Sequence, residues 1–249
     1  MSSQAFALQL YTVRDHLEKD TPATLRRVKE IGYDHVELAG IGLYGPREYN
    51  QMLSDAGLQA ISGHFPYEEV VNNTGSVIET VHALGLRYAV VPWLGVEQCP
   101  DKDAWIAAAK AMNDAGARFR NSDIILCYHN HAHEFQRADG QYILDVIFES
   151  ADAQNLAAEL DTYWIKYGGA DPADYITQYS GRVPLLHLKD MTGGDNRTFA
   201  EMGRGIIEWK PILESAAKAG VHWYIVEQDE CAGDSLESAR ISAEFVRGL

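Results

Sequence analysis

The chain has 249 residues, 46% hydrophobic and 23% charged, the balance of a globular protein with a sizeable core, which excludes collagen, coiled coil and wholesale disorder. Its 21 Lys and Arg stand against 36 Asp and Glu, a net charge of −15 with no basic run longer than Arg26-Arg27, so nucleic acid and anionic membranes are not expected partners. No apolar run approaches the roughly 18 residues of a membrane span, residues 1–10 lack the basic segment of a signal peptide, and the widely spaced Cys99, Cys127 and Cys231 form no CxxC pair and read as reduced thiols of a cytoplasmic protein.

In chain order, the first apolar run covers about 5–11 and ends in Gln9-Leu-Tyr11. Thr21-Pro22 reads as an N-cap followed by proline at the first helical position, and Leu25, Val28 and Ile31 then share one face. A phrase of helix, glycine, one residue and apolar strand follows and repeats. It occurs as Lys29-Glu-Ile-Gly-Tyr-Asp-His-Val-Glu-Leu38, as Asp55-Ala-Gly-Leu-Gln-Ala-Ile-Ser-Gly-His64, as Ala83-Leu-Gly-Leu-Arg-Tyr-Ala-Val-Val91, and as Lys218-Ala-Gly-Val-His-Trp-Tyr-Ile-Val-Glu227. Glycine at that point suits the left-handed cap that ends a helix. The apolar run after it suits a buried parallel strand. Residues 105–112 are helical by propensity, and Asp171-Pro172 opens another helix. Strands are expected at about 5–11, 34–38, 58–64, 87–92, 122–129, 155–160, 183–189 and 221–227, each followed by a helical stretch. That is the arithmetic of an α/β protein built as a single (β/α)8 TIM barrel, with one domain over 1–249. An open doubly wound sheet is the alternative, but Gly40-Ile-Gly42 lacks the third glycine of a dinucleotide turn.

Active sites of such barrels lie at the C-terminal ends of the strands. The runs end at Tyr11, Glu37, His64, Trp93, His129-Asn-His131, Asp161, His187-Leu-Lys189 and Glu227. One polar residue at a strand end is only the chain meeting water, but barrel closure would aim these at one point. His, Asp and Glu together form a hard-to-borderline ligand set that suits Mn²⁺, Co²⁺, Mg²⁺ or Zn²⁺. Cys127 is expected to alternate with His129 and is not counted as a ligand. His16, His35, His82 and His222 lie at helix or strand starts and read as structural.

At these residues the sequence resembles the sugar isomerase/epimerase superfamily of xylose-isomerase-like barrels. It is similar in particular to the sugar phosphate isomerase/epimerase branch, which also holds inosose dehydratase-like and 3-keto-glycoside-processing enzymes. The phrases that carry the likeness are Gln9-Leu-Tyr-Thr-Val-Arg14, Val36-Glu-Leu-Ala-Gly40, Tyr128-His-Asn-His131 with Glu134-Phe135, Glu159-Leu-Asp-Thr-Tyr-Trp164, Leu186-His-Leu-Lys-Asp190, Gly203-Arg-Gly205 with Trp209, and Ile225-Val-Glu-Gln-Asp229. The resemblance implies one divalent metal ion, Mn²⁺ first, held by Glu, Asp, His and Glu from strands 5 to 8. Asp161, His187 and Glu227 match the last three. At the strand 5 position this chain carries His129, with His131 and Glu134 beyond, and either His129 or Glu134 completes the set. Trp164 stands where some relatives carry a second-metal histidine, which implies one metal and a flat apolar wall.

The implied activity is isomerisation or epimerisation of a keto-sugar, by proton abstraction next to a carbonyl through an enediolate. Glu227 is the leading base, with Glu134 or His131 as its partner. Lys189 would stabilise the oxyanion or bind a substrate oxygen, and Tyr11, Glu37 and His64 would read hydroxyls. A dehydratase or lyase acting on an inosose or 3-keto-glycoside shares the first step. An abasic-site endonuclease and a non-catalytic sugar-binding barrel are further alternatives. The endonuclease is opposed by the −15 charge and Trp164, and the binding barrel by the retained Asp161, His187 and Glu227. The expected partner is a small carbohydrate, in a chain that can form a homo-oligomer. Gly203-Arg-Gly205 is a weak candidate for anion binding.

Overall fold

The computed structural model describes residues 6–249; residues 1–5, including the start of the first expected strand, lie outside the described residues. Eight parallel strands close into a barrel: β1 (Phe6–Gln9), β2 (His35–Leu38), β3 (Gln59–His64), β4 (Tyr88–Val91), β5 (Ile125–His129), β6 (Ala157–Asp161), β7 (Leu185–Leu188) and β8 (Trp223–Val226). β8 pairs back onto β1, with Ala7 opposite Ile225. A principal helix follows each strand: α1 (Thr21–Ile31), α2 (Pro46–Asp55), α3 (Thr74–Leu84), α4 (Lys102–Arg120), α5 (Ile143–Glu149), α6 (Pro172–Gln178), α7 (Trp209–Ala219) and α8 (Ser235–Arg247). This is a (β/α)8 TIM barrel.

Local chemistry sets the element ends. Gly32, Gly57, Gly85 and Gly220, the glycines of the repeated phrase, all take positive φ, between 71° and 103°, where a side chain would be strained. α1 starts one residue earlier than its Thr-Pro signal implied: the Asp20 carboxylate accepts from the Ala23 amide and is the N-cap, leaving Thr21 inside the helix. Asp171 caps α6 as expected. β5 starts at Ile125 rather than 122, because Asp123 turns left-handed at φ 60°. β1 ends at Gln9 rather than Tyr11, since residues Leu10–Val13 form a 3-10 turn.

Strand alternation layers the barrel interior. Ala7, Ile61, Tyr88, Val90, Cys127, Ala157, Leu185 and Ile225 form an inner apolar cluster, separate from the larger core between strands and helices. Two residues further along five of these strands stand Gln9, His129, Glu159, His187 and Glu227. The same period that fills the barrel floor with apolar groups therefore raises a polar ring above it. Cys127 corrects its expected placement: with a period of two it shares the inward face of His129, one layer deeper, and burial raises its thiol well above the usual range.

The chain after β7 is clamped by one side chain. Asp190 Oδ2 accepts from the backbone amides of Gly203 (2.9 Å) and Gly205 (3.1 Å) and lies 3.3 Å from the Trp209 indole nitrogen, while Oδ1 accepts from Ile207 N at 3.2 Å. A Cβ on Gly205 would fall 2.1 Å from Asp190 Oδ1, so only glycine admits this approach. The anion held by Gly203-Arg-Gly205 is thus internal, which corrects its reading as a ligand site. His16 meets Asp234, His35 packs on Trp223, His82 meets the Ser122 carbonyl and His222 meets Tyr88, all structural contacts. Among the described residues no helix is long and apolar enough to cross a membrane.

Candidate active site

The polar ring closes at the C-terminal mouth. His129, Asp161, His187 and Glu227 each offer a ligand atom, and these atoms all lie within 4.8 Å of one another. All four residues are buried. His129 ends β5, Asp161 ends β6, His187 lies within β7, and Glu227 follows β8 directly. Register carries them together: Asp161 pairs with His187, and His187 with Ile225, two residues before Glu227. Asp161 also caps the short helix Thr162–Tyr167, its Oδ1 accepting from Trp164 N, which aims Oδ2 at the mouth.

A second quartet lies just inside the first. His64, His129, Glu159 and His187 also bring ligand atoms within 4.8 Å. Glu159, two residues before Asp161 on the same face of β6, is fully buried. Its Oε2 lies 3.0 Å from His129 Nδ1, 3.1 Å from His64 Nε2 and 3.2 Å from His187 Nε2. Glu37 lies deeper. Its Oε1 meets Gln9 Nε2 at 2.8 Å and His187 Nε2 at 2.7 Å, and its Oε2 accepts from Ser62 at 2.5 Å. A register shift between Val36 and Glu37 puts Ser62 opposite Glu37.

Lys189, also buried, is the cation of the outer group. Its Nζ lies 3.0 Å from Asp161 Oδ2, 2.7 Å from Glu227 Oε2 and 2.7 Å from Asp229 Oδ1. It does not pair with its neighbour Asp190. Burial works against the ammonium, but Asp161, Glu227 and Asp229 outweigh it and hold Lys189 charged. Burial likewise raises Glu227, yet Lys189 and His187 pull it well below the usual carboxylate range. Asp161 keeps the mark of burial, lifted to about 6 against the pull of Lys189. Burial disfavours charge on the histidines too, but Glu37 and Glu159 overcome it at His64, raised to about 10, and Glu159, Glu37 and Glu227 at His187. His129 and His131 are left neutral, lowered by burial and the surrounding cations.

The remaining expected residues divide. His131 sits at the rim, its ring between Trp93 (4.7 Å) and Trp164 (5.3 Å), and its Nδ1 has no partner. Trp164 forms a wall there, with the Lys189 ammonium 5.8 Å from its ring centre. Tyr11 is 42% exposed under the Arg14 guanidinium. Two placements correct the sequence reading. Glu134 is not brought into the ligand group: its oxygens accept from Tyr128 OH at 2.7 Å and His131 N at 2.8 Å, because the chain turns through His133–Phe135. Glu37 lies beneath the site, fully buried and bonded to Gln9, Ser62 and His187, so it supports the ring from below. The sequence reading missed Glu159, Gln9, Asp229 and the rim placement of Trp93. A step of two residues back from Asp161, or on from Glu227, finds the first and third.

The residues fit a divalent cation. Lys189 is shared among Asp161, Glu227 and Asp229, and Glu159 Oε1 is buried without a hydrogen-bond partner. An unpartnered buried acceptor and a crowd of carboxylates beside the neutral imidazole of His129 are what a dication satisfies.

The model of the xylose isomerase-like TIM barrel family matches residues 25–249. The chain belongs to this family. Within the xylose isomerase-like barrels, it is 23% identical to an inosose dehydratase of Geobacillus kaustophilus, covering 94% of this chain and 88% of the relative. The crystal structure of a sugar phosphate isomerase/epimerase from Parabacteroides distasonis superposes with a TM-score of 0.86 at 24% identity, over 99% of this chain and 94% of that one. The IOLI protein, solved with a bound zinc atom, superposes with a TM-score of 0.76 at 13% identity, over 97% and 96%. These structural likenesses carry the fold.

Proposed function

We propose that this protein is a divalent-metal-dependent sugar isomerase or epimerase that removes the proton next to the carbonyl of a keto-sugar and passes through an enediolate. The observation that carries this reading is the convergence of His129, Asp161, His187 and Glu227, whose ligand atoms lie within 4.8 Å of one another. An ion held by those four residues, Mn²⁺ first among Mn²⁺, Co²⁺, Mg²⁺ and Zn²⁺, would supply a Lewis acid for a carbonyl oxygen. Glu227 stays ionised in this setting and is the group that accepts the proton. Its lowered affinity for protons costs basicity but keeps it in the reactive form at neutral pH. His131, neutral and with an unpartnered Nδ1, is the partner that takes a proton from a substrate hydroxyl or water on that nitrogen and then returns it, in preference to Glu134, whose oxygens are occupied. Lys189 donates to the oxygen on which charge develops. Trp164 and Trp93 form an apolar wall for a sugar ring, and Tyr11 reads a hydroxyl at the edge. The three free thiols fit a reducing cytoplasm.

A second reading keeps the same first step and then expels a hydroxyl or an aglycone. It is favoured by the inosose dehydratase relative, which aligns over nearly the whole chain. One experiment separates the outcomes: the Mn²⁺-loaded protein is incubated in D₂O with ketopentoses, ketohexoses, inosose and 3-keto-glycosides and followed by NMR. Deuterium at the carbon beside the carbonyl, with the substrate's atoms retained, supports isomerase or epimerase chemistry. Deuterium with loss of water or aglycone moves the protein to the lyase reading. No exchange across the panel, with the metal bound, contradicts both.

A further inference from the structure

We infer that Glu159 is a positioning residue that fixes which ring nitrogen of His129 faces the cation, so that the mouth of the barrel holds one ion and not two. This rests on the metal-dependent reading above and deepens it. A carboxylate oxygen has only lone pairs to offer, so each imidazole nitrogen about 3 Å from Glu159 Oε2 must bring the hydrogen. A neutral imidazole has one N–H and one lone pair. His129, with its hydrogen on Nδ1, is left with a lone pair on Nε2, which lies 3.7 Å from Asp161 Oδ2. By the same rule His187 brings a hydrogen on each nitrogen, Nε2 to Glu37 Oε1 and Nδ1 to Glu227 Oε2, both at 2.7 Å, and sheds one to bind a metal, so Glu159 does not decide which of its nitrogens ligates.

The two quartets therefore compete for the one lone pair of His129. The inner quartet needs His129 Nδ1, and the outer needs Nε2. Both could fill only if that ring lost its last N–H. The outer quartet brings two carboxylates against one in the inner, so it is the better host for a dication. Glu159 and Asp161 stand two residues apart on one face of β6. A single strand thus supplies both a ligand and the acceptor that orients a further one, His129, the outer-shell arrangement that holds a metal-binding histidine in one tautomer. The buried, unpartnered Oε1 of Glu159 is the one feature that favours an inner ion instead.

The test uses the full chain loaded with Zn²⁺, a diamagnetic probe. Long-range ¹⁵N–¹H NMR reads the protonated nitrogen of each histidine, and a competition titration reads stoichiometry and affinity. The expected result is one zinc per chain, with hydrogen on His129 Nδ1. Glu159→Gln and Glu159→Ala should then weaken zinc binding by about 10–100-fold and blur the His129 tautomer. Two zinc ions per chain, zinc on His129 Nδ1, or unchanged affinity in folded Glu159 variants would overturn the inference while leaving the metal-dependent reading intact. No zinc bound by the native chain overturns both. The native nitrogen assignment needs no variant, so a variant that fails to fold leaves the decision in place.

Discussion

Lys189 Nζ lies 2.7 Å from Glu227 Oε2, the same oxygen that His187 Nδ1 approaches to 2.7 Å. A buried ammonium thus stands among the groups that would take a dication, and it repels that ion while pairing the carboxylates in its absence. Lys189→Met removes the competitor. We expect tighter Mn²⁺ binding, by about tenfold or more, together with a loss of turnover of at least about 10²-fold, because the donor for the developing oxyanion is gone. Metal titration and initial rates on one preparation check both. Weaker metal binding in this variant would show that Lys189 supports the cation rather than opposing it.

Metal binding should release protons. Glu159, Glu37 and Glu227 raise His187 despite its burial, so the metal-free protein carries a proton there that a ligand nitrogen must shed. Asp161, lifted to about 6, takes up a further proton as the medium becomes acid. The sign follows: the proton-bound form is the metal-free one, so affinity falls as pH falls. Between about pH 8 and about pH 6 the apparent affinity should drop by up to about tenfold per proton released and per pH unit. Calorimetry in buffers of different ionisation enthalpy counts the protons, and an affinity flat with pH would count against imidazole ligation.

Asp190 is a stability residue in the middle of the catalytic face. Asp190→Ala leaves the Gly203, Gly205 and Ile207 amides and the Trp209 indole without their shared acceptor. The cost should be about 3 kcal/mol or more, a fall in Tm of roughly 6–12 °C. Thermal unfolding of the variant measures it. A Tm within about 2 °C of the native value would mean that water replaces the carboxylate.

His131 and Glu134 should part company in kinetics. His131→Ala removes the free imidazole at the rim and should lower kcat by about 10²-fold or more with metal affinity nearly unchanged. Glu134→Gln keeps an acceptor for Tyr128 and His131 and should change kcat far less. Equal losses in both variants would return Glu134 to the reaction itself.

Much of this was legible in the sequence, for physical reasons. The glycine-capped phrase exposes the βα repeat because a helix that turns at once into a buried strand needs a left-handed residue, and Gly32, Gly57, Gly85 and Gly220 all supply it. Asp161, His187 and Glu227 could be singled out because each interrupts or ends an apolar run. Glu159 was hidden by the same logic: it lies inside the run, between Ala158 and Leu160, and only the period of two shows that it faces inward with Asp161. Glu134 was misjudged because the direction taken by a chain after its strand depends on backbone turns, here the 3-10 turn His133–Phe135, which residue types alone do not encode. The destination of Asp190 was equally out of reach, since apart from the adjacent Met191 amide its partners lie 13 to 19 residues on and are mostly backbone amides.

The most direct measurement is anomalous diffraction from crystals of the protein soaked in Mn²⁺. One manganese peak is expected, bonded to His129, Asp161, His187 and Glu227, with Lys189 Nζ displaced toward Asp229. A protein that takes up no manganese, or binds it away from Asp161, His187 and Glu227, would contradict that expectation.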